Sequence, residues 1–218
     1  MSSVNAQTMP VLLPSCGAKG LLTFPDVAAR GLVVFAHGSG SSRLSPRNAF
    51  VAKSLVRAGF VTMLFDLLTD DEAAVRANVF DIVLLADRLD QAADLARRAA
   101  GASNLPLGFF GASTGAAAAL VAAADRDDVV AIVSRGGRPD LAAKALPHVS
   151  AATLLIVGGH DPEVLSLNQA AAVELRCEHR LEVVAGATHL FEEPGKLEVV
   201  VGLARSWFLK HLVPHASG

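Results

Sequence analysis

At 218 residues, 52% of them hydrophobic and 18% charged, the chain is long enough for one domain to bury a substantial core and too apolar for disorder. Lys and Arg number 19 against 21 Asp and Glu, a formal charge of −2, and aromatics reach only 5% with no Tyr. That excludes a basic footprint for nucleic acid or anionic membrane, and a platform for stacking bases.

Residues 1–14 carry no Lys or Arg ahead of their short apolar stretch, so they do not read as a secretory signal. No apolar run reaches the roughly 18 residues of a spanning helix. Residues 11–15 and 20–25, around a Gly-containing turn, predict an opening hairpin. Six short, continuously apolar runs follow at 31–36, 60–66, 105–110, 129–134, 153–157 and 181–185, the signature of strands covered on both faces.

Helical segments alternate with these strands. The first, over 46–58, opens with Ser45 as N-cap and Pro46 at the first position, and stops before Gly59. A long helix is predicted over 72–100, where Ile82, Leu85, Leu89, Ala92 and Ala96 make one stripe. Alanine dominates 114–124, and segments at 139–146, 162–176 and 196–212 complete the set. Alternation of this kind predicts right-handed crossovers and a mostly parallel sheet, hence an α/β fold. No linker, charge block or repeat divides the chain, so residues 1–218 read as one domain. Cys16 and Cys177 are too few and too far apart for a disulfide framework or a zinc site, and a cytoplasmic location is the default.

Ligands of such sheets bind beyond the carboxyl ends of the strands. The residues directly after the predicted strands therefore carry the functional argument. Gly111-Ala112-Ser113-Thr114-Gly115 matches G-x-S-x-G between a strand and a helix, the layout that exposes a nucleophilic serine on a strained turn. A serine hydroxyl needs a base, and His189 follows the last strand. His37, His148, His160, His179, His211 and His215 are less well placed: His179 precedes a strand, while His211 and His215 fall in the tail. Between Ser113 and His189 the orienting carboxylate is Asp161, after a Gly-Gly turn, with Asp140 behind Pro139 as the rival. Backbone N–H groups of Thr114 and Ser39 are the expected oxyanion donors. The glycine- and serine-rich loop 37–42 also suits a phosphate, but it lacks the Gly-Lys-Ser/Thr of a nucleotide loop.

Taken together, the His37-Gly38-Ser39-Gly40 loop, the Ser113 elbow, Gly159-His160-Asp161 and Gly186-Ala187-Thr188-His189 resemble the α/β-hydrolase superfamily, and within it the small dienelactone-hydrolase-like group. The resemblance spans essentially the whole chain. It implies a central sheet of about eight strands, flanked by helices and without a lid domain. Dienelactone hydrolases use a cysteine nucleophile where this chain has Ser113, so a serine carboxylesterase is the expected activity.

Arg135 and Arg138 follow a strand at the same edge and Arg43 closes the oxyanion loop; with His37 they are candidates to hold a substrate, an arginine by gripping its carboxylate. Asp66 is placed to pair with a loop arginine, and Glu192 and Glu193 to cap the last helix or meet solvent. The expected partner is a small-molecule ester, with no cofactor, metal, nucleic acid or membrane; a homodimer is left open. Lactone and thioester hydrolysis need the same groups, and a non-catalytic module keeping the fold is the reading from another class. Only residues 135–152 separate the strands at 129–134 and 153–157, which predicts an open cleft and short acyl groups.

Overall fold

Strands β3 (Gly31–Ala36), β5 (Leu107–Ala112) and β7 (Ala152–Gly158) are buried at every residue, which requires cover on both faces of the sheet. The computed structural model describes residues 6–101 and 104–212 and supplies that cover. With β1 (Gln7–Leu12), β2 (Lys19–Phe24), β4 (Phe60–Phe65), β6 (Val129–Arg135) and β8 (His179–Val184), the strands form one sheet in the order β1-β2-β4-β3-β5-β6-β7-β8. The β1–β2 and β2–β4 pairs are antiparallel and the other five are parallel.

Helices α1 (Pro46–Arg57) and α7 (Lys196–His211) cover one face, where Val51, Leu55, Trp207 and Phe208 meet Phe35, Phe60 and Phe110. Helices α4 (Ile82–Ala99), α5 (Thr114–Ala124) and α6 (Pro162–Glu174) cover the other. The alanines of α5 bring its backbone close to the sheet, and the predicted stripe of α4 is its buried side. No described helix is long and apolar enough to cross a membrane.

Four expectations change. The helix predicted over 72–100 is three helices: α2 (Asp70–Ala74), α3 (Arg76–Val79) and α4. A Thr69–Glu72 capping box starts the first, an extended Val75 stops it, and Asp81 accepts from the Leu84 N–H to start α4 afresh. The segment at 139–146 is two 3₁₀ turns, Pro139–Ala142 and Leu146–His148, because Pro147 keeps Leu146 out of a continuing helix. The hairpin sits earlier, with Gln7 opposite Phe24 and Gly17 at positive φ in the turn. Strand β5 runs two residues beyond its predicted end, Ala112 lying opposite Arg135, so the elbow begins where the sheet ends.

Candidate active site

Ser113 stands between β5 and α5 with φ 52° and ψ −122°, a backbone that L-residues reach only under strain. Its N–H donates to the Arg135 carbonyl and its own carbonyl accepts from the Arg138 N–H, each at 3.2 Å. The flanking glycines are required sterically. A Cβ on Gly111 would stand 2.4 Å from the Ala116 Cα, and one on Gly115 2.3 Å from the Ala36 carbonyl oxygen. Thr114 opens α5, so its N–H has no intrahelical acceptor.

Asp161 occupies the position before α6 but caps nothing. Its Oδ2 instead accepts a 2.7 Å hydrogen bond from His189 Nδ1, which leaves Nε2 as the basic nitrogen. The two loops are sewn together, since the Gly159 and His160 N–H groups donate to the Val184 and Ala187 carbonyls at 2.9 Å. Beyond His189 the chain turns at Phe191, with φ 56° and a buried ring, while Glu193 accepts from the Thr188 N–H at 3.0 Å. Residues 136–138 link the two halves. Arg138 bonds Ser113, and a Cβ on Gly136 would lie 3.3 Å from His189 Cε1. Asn168 holds this link from below, its Nδ2 donating to the Gly137 carbonyl at 3.0 Å.

The remaining candidates sort by their partners. Ser39 directs its N–H to Thr114 Oγ1 at 2.9 Å, so of the two expected oxyanion donors it is the one already occupied. His37 is not available to a substrate. Its Nδ1 bonds the Gly38 carbonyl at 2.9 Å, its Nε2 accepts from the Leu67 N–H at 3.1 Å, and burial pushes the imidazole below its ordinary 6.5. Arg43 is also committed, to Asp66 through both its N–H and its guanidinium, which is the pairing anticipated for Asp66. Arg138 grips Asp140 at 2.9 and 2.7 Å and holds that carboxyl below the usual range, which removes Asp140 as the triad acid. His211 and His179 lie at the far end of the sheet around Glu178 and Cys177, and His215 lies outside the described residues.

Arg135 differs from the other arginines. It is 7% exposed, its side chain makes no hydrogen bond or ion pair among the described residues, and its buried Nε is without a partner. Its guanidinium lies 5.9 Å from the centre of the Phe191 ring, and burial together with nearby Arg47 lowers its pKa to about 10. Arg47, which the sequence reading overlooked, is paired with Glu192 at 2.8 Å. A cleft of about 330 Å³ opens beside the elbow, between loop 37–44 and residues 66–85, and reaches Thr114.

The residues from Ala18 to Val201 match the dienelactone hydrolase family, and the chain belongs to that family. A crystal structure of dienelactone hydrolase from Anabaena variabilis superposes with a TM-score of 0.90 at 50% identity, covering 97% of this chain and 100% of that one. Est1E from Butyrivibrio proteoclasticus shares the fold, with a TM-score of 0.78 at 15% identity over 93% of this chain and 98% of its own. A curated Mycobacterium tuberculosis protein named "Putative phosphoribosyl transferase" is 59% identical over 201 residues, 91% of this chain. The chain spans about half the length of that relative, 45% of it.

Proposed function

We propose that the chain is a serine hydrolase of small carboxylic esters that works through an acyl-enzyme. The observation that carries this reading is the 2.7 Å Asp161–His189 pair, tied by residues 136–138 to the strained Ser113 turn. In the reaction, His189 Nε2 takes the Ser113 proton as Oγ attacks the ester carbonyl. The oxyanion is held by the Thr114 N–H, joined by the Ser39 N–H once the Thr114 hydroxyl releases it. His189 then protonates the departing alcohol, and water repeats the sequence on the acyl-enzyme. Asp161 fixes the imidazole tautomer and supports its positive charge. Lactones and thioesters present the same carbonyl and enter the same cycle. Arg135, charged and unpaired among the described residues at the end of β6, is the candidate to grip a substrate carboxylate.

The geometry supports catalysis over a non-catalytic module, because Asp161 forgoes its helix-capping bond to hold His189. The transferase name belongs to a protein of which this chain spans 45%, and the Ser113, Asp161 and His189 arrangement gives no support for carrying it over. The test is covalent labelling by an alkyl fluorophosphonate. Ser113 is expected to carry the adduct and Ser113→Ala to carry none. Labelling that persists in the alanine variant, or a native protein that neither labels nor hydrolyses p-nitrophenyl acetate, overturns the reading.

A further inference from the structure

We propose that residues 69–80, which carry α2 and α3, form the wall of an acyl pocket, and that Val79 sets the acyl length the enzyme accepts. This rests on the serine-esterase reading and adds the substrate class: esters of unbranched, medium-length apolar acids. The cleft of about 330 Å³ is floored by buried Leu67 and Leu85 and walled by Leu68 and half-buried Val79. Its opposite side is the loop from Gly38 to Leu44, and a Cβ on Gly38 would touch the Ser113 Cβ at 2.9 Å. The cleft therefore reaches the neighbours of Ser113, Gly38 and Thr114, without being lined by Ser113 itself.

Which half of the ester enters follows from proton transfer. The alcohol must leave beside His189, which protonates it, and His189 contributes nothing to the cleft lining. The acyl chain then occupies the other side, past the Thr114 N–H. The only charged pair against the cleft, Arg43 with Asp66, is neutralised internally, so nothing in the wall calls for a charged acyl group except the solvent-facing Asp70. At roughly 30 Å³ for a water-sized group, the volume holds about ten such groups, enough for a six-carbon chain with its carbonyl.

The short β6–β7 connection predicts an open cleft and short acyl groups; the acyl wall proposed here comes from another part of the chain. The wall comes from the β4–α4 connection, most of which lies within the single helix that the sequence predicts over 72–100. Neither α2 nor α3 has a buried residue, so polar contacts hold the wall in place. Glu72 is the clasp. It accepts from Arg88 Nη2 at 2.7 Å and from the Thr69 N–H at 2.9 Å, and its carbonyl accepts from Asn78 Nδ2 at 3.0 Å. These contacts hold the Glu72 carboxyl below the usual range, the Thr69 N–H contributing most.

The experiment has two arms. In the first, kcat/KM is measured for p-nitrophenyl acetate through decanoate. Wild type is expected to gain up to about fourfold per methylene as far as hexanoate and then level off. Val79→Trp should lower the hexanoate-to-acetate ratio about tenfold or more, the loss of two methylenes of burial, while Val79→Ala should move the plateau to longer chains. In the second arm, straight-chain amides from butanamide to octanamide are titrated calorimetrically into Ser113→Ala, with and without Val79→Trp. Affinity should rise with length only where Val79 is kept. A chain-length profile that neither Val79 variant changes, with melting temperatures matching wild type, overturns the acyl wall. Length-dependent amide binding that Val79→Trp removes, in a protein without esterase activity, sustains the pocket and refutes the esterase reading instead.

Discussion

Replacing Arg135 by Met separates stability from function in a way that few substitutions can. The residue is 7% exposed, and its guanidinium is without a counter-ion among the described residues. Burial lowers its pKa from the ordinary arginine range to about 10. At about 1.4 kcal/mol per pH unit, the charge costs about 3 kcal/mol more in the folded chain than in the unfolded one. The sign follows from the direction: a base with a lowered folded pKa is a penalty at every pH below about 10, relieved only in stronger alkali. The Phe191 ring, 5.9 Å away, offsets about 1 kcal/mol. Met keeps most of the apolar stem, so Arg135→Met is expected to stabilise the free protein by about 1–2 kcal/mol, or about 3–6 °C in Tm. Scanning calorimetry at pH 7 in an anion-poor buffer measures this. The same variant should raise KM at least about tenfold for an ester bearing a carboxylate, through loss of a charge-assisted pair, and far less for its neutral methyl ester. A variant that melts several degrees lower and treats both esters alike would refute the reasoning, because the charge would then serve the fold.

Other substitutions probe the rest of the site. Ser113→Gly should abolish ester turnover and raise Tm by about 1–3 °C, since glycine relieves the 52° φ; an active glycine variant would remove Ser113 from the chemistry. Asp161→Asn should lower kcat by about 10⁴, the precedent for a wrong tautomer, while Asp140→Asn should change kcat little; the reverse pattern in steady-state assays would exchange the two carboxylates. Because burial keeps His37 neutral in the folded chain, stability is full above pH 6.5 and falls as acid protonates the unfolded chain first. His37→Gln should flatten the decline of Tm between about pH 6.5 and 5, with His211, shifted in the same direction, accounting for part of what remains. A Tm-against-pH curve with undiminished slope in the variant would show that His37 is not a source of the acid sensitivity.

The parts legible in the sequence are those whose cause is local. Gly111 and Gly115 are dictated by the backbone atoms they almost touch, within five residues in one case and across to β3 in the other, and no side chain fits either position. Ser113, Asp161 and His189 each lie in the loop after a parallel strand, β5, β7 and β8, so chain order alone put them on one edge. The break at Val75 was less visible because the apolar stripe of α4 begins only at Ile82, and a periodicity argument ran it backwards through residues 72–81. The stop was nonetheless written there: Thr69-Asp70-Asp71-Glu72 is a capping box, and Asp81 is a second N-cap twelve residues on. What spacing could not supply was the partner of each charged side chain. Arg138 and Asp140 lie two residues apart and could have been paired on paper, whereas Arg43 and Asp66 meet only because β3 and β4 are neighbours in the sheet. Arg135 stands out only once these pairs are removed. A buried cation that the fold leaves without a counter-charge weakens the free protein, and a chain that retains such a group at the edge holding Ser113 and His189 leaves its neutralisation to whatever anion arrives there.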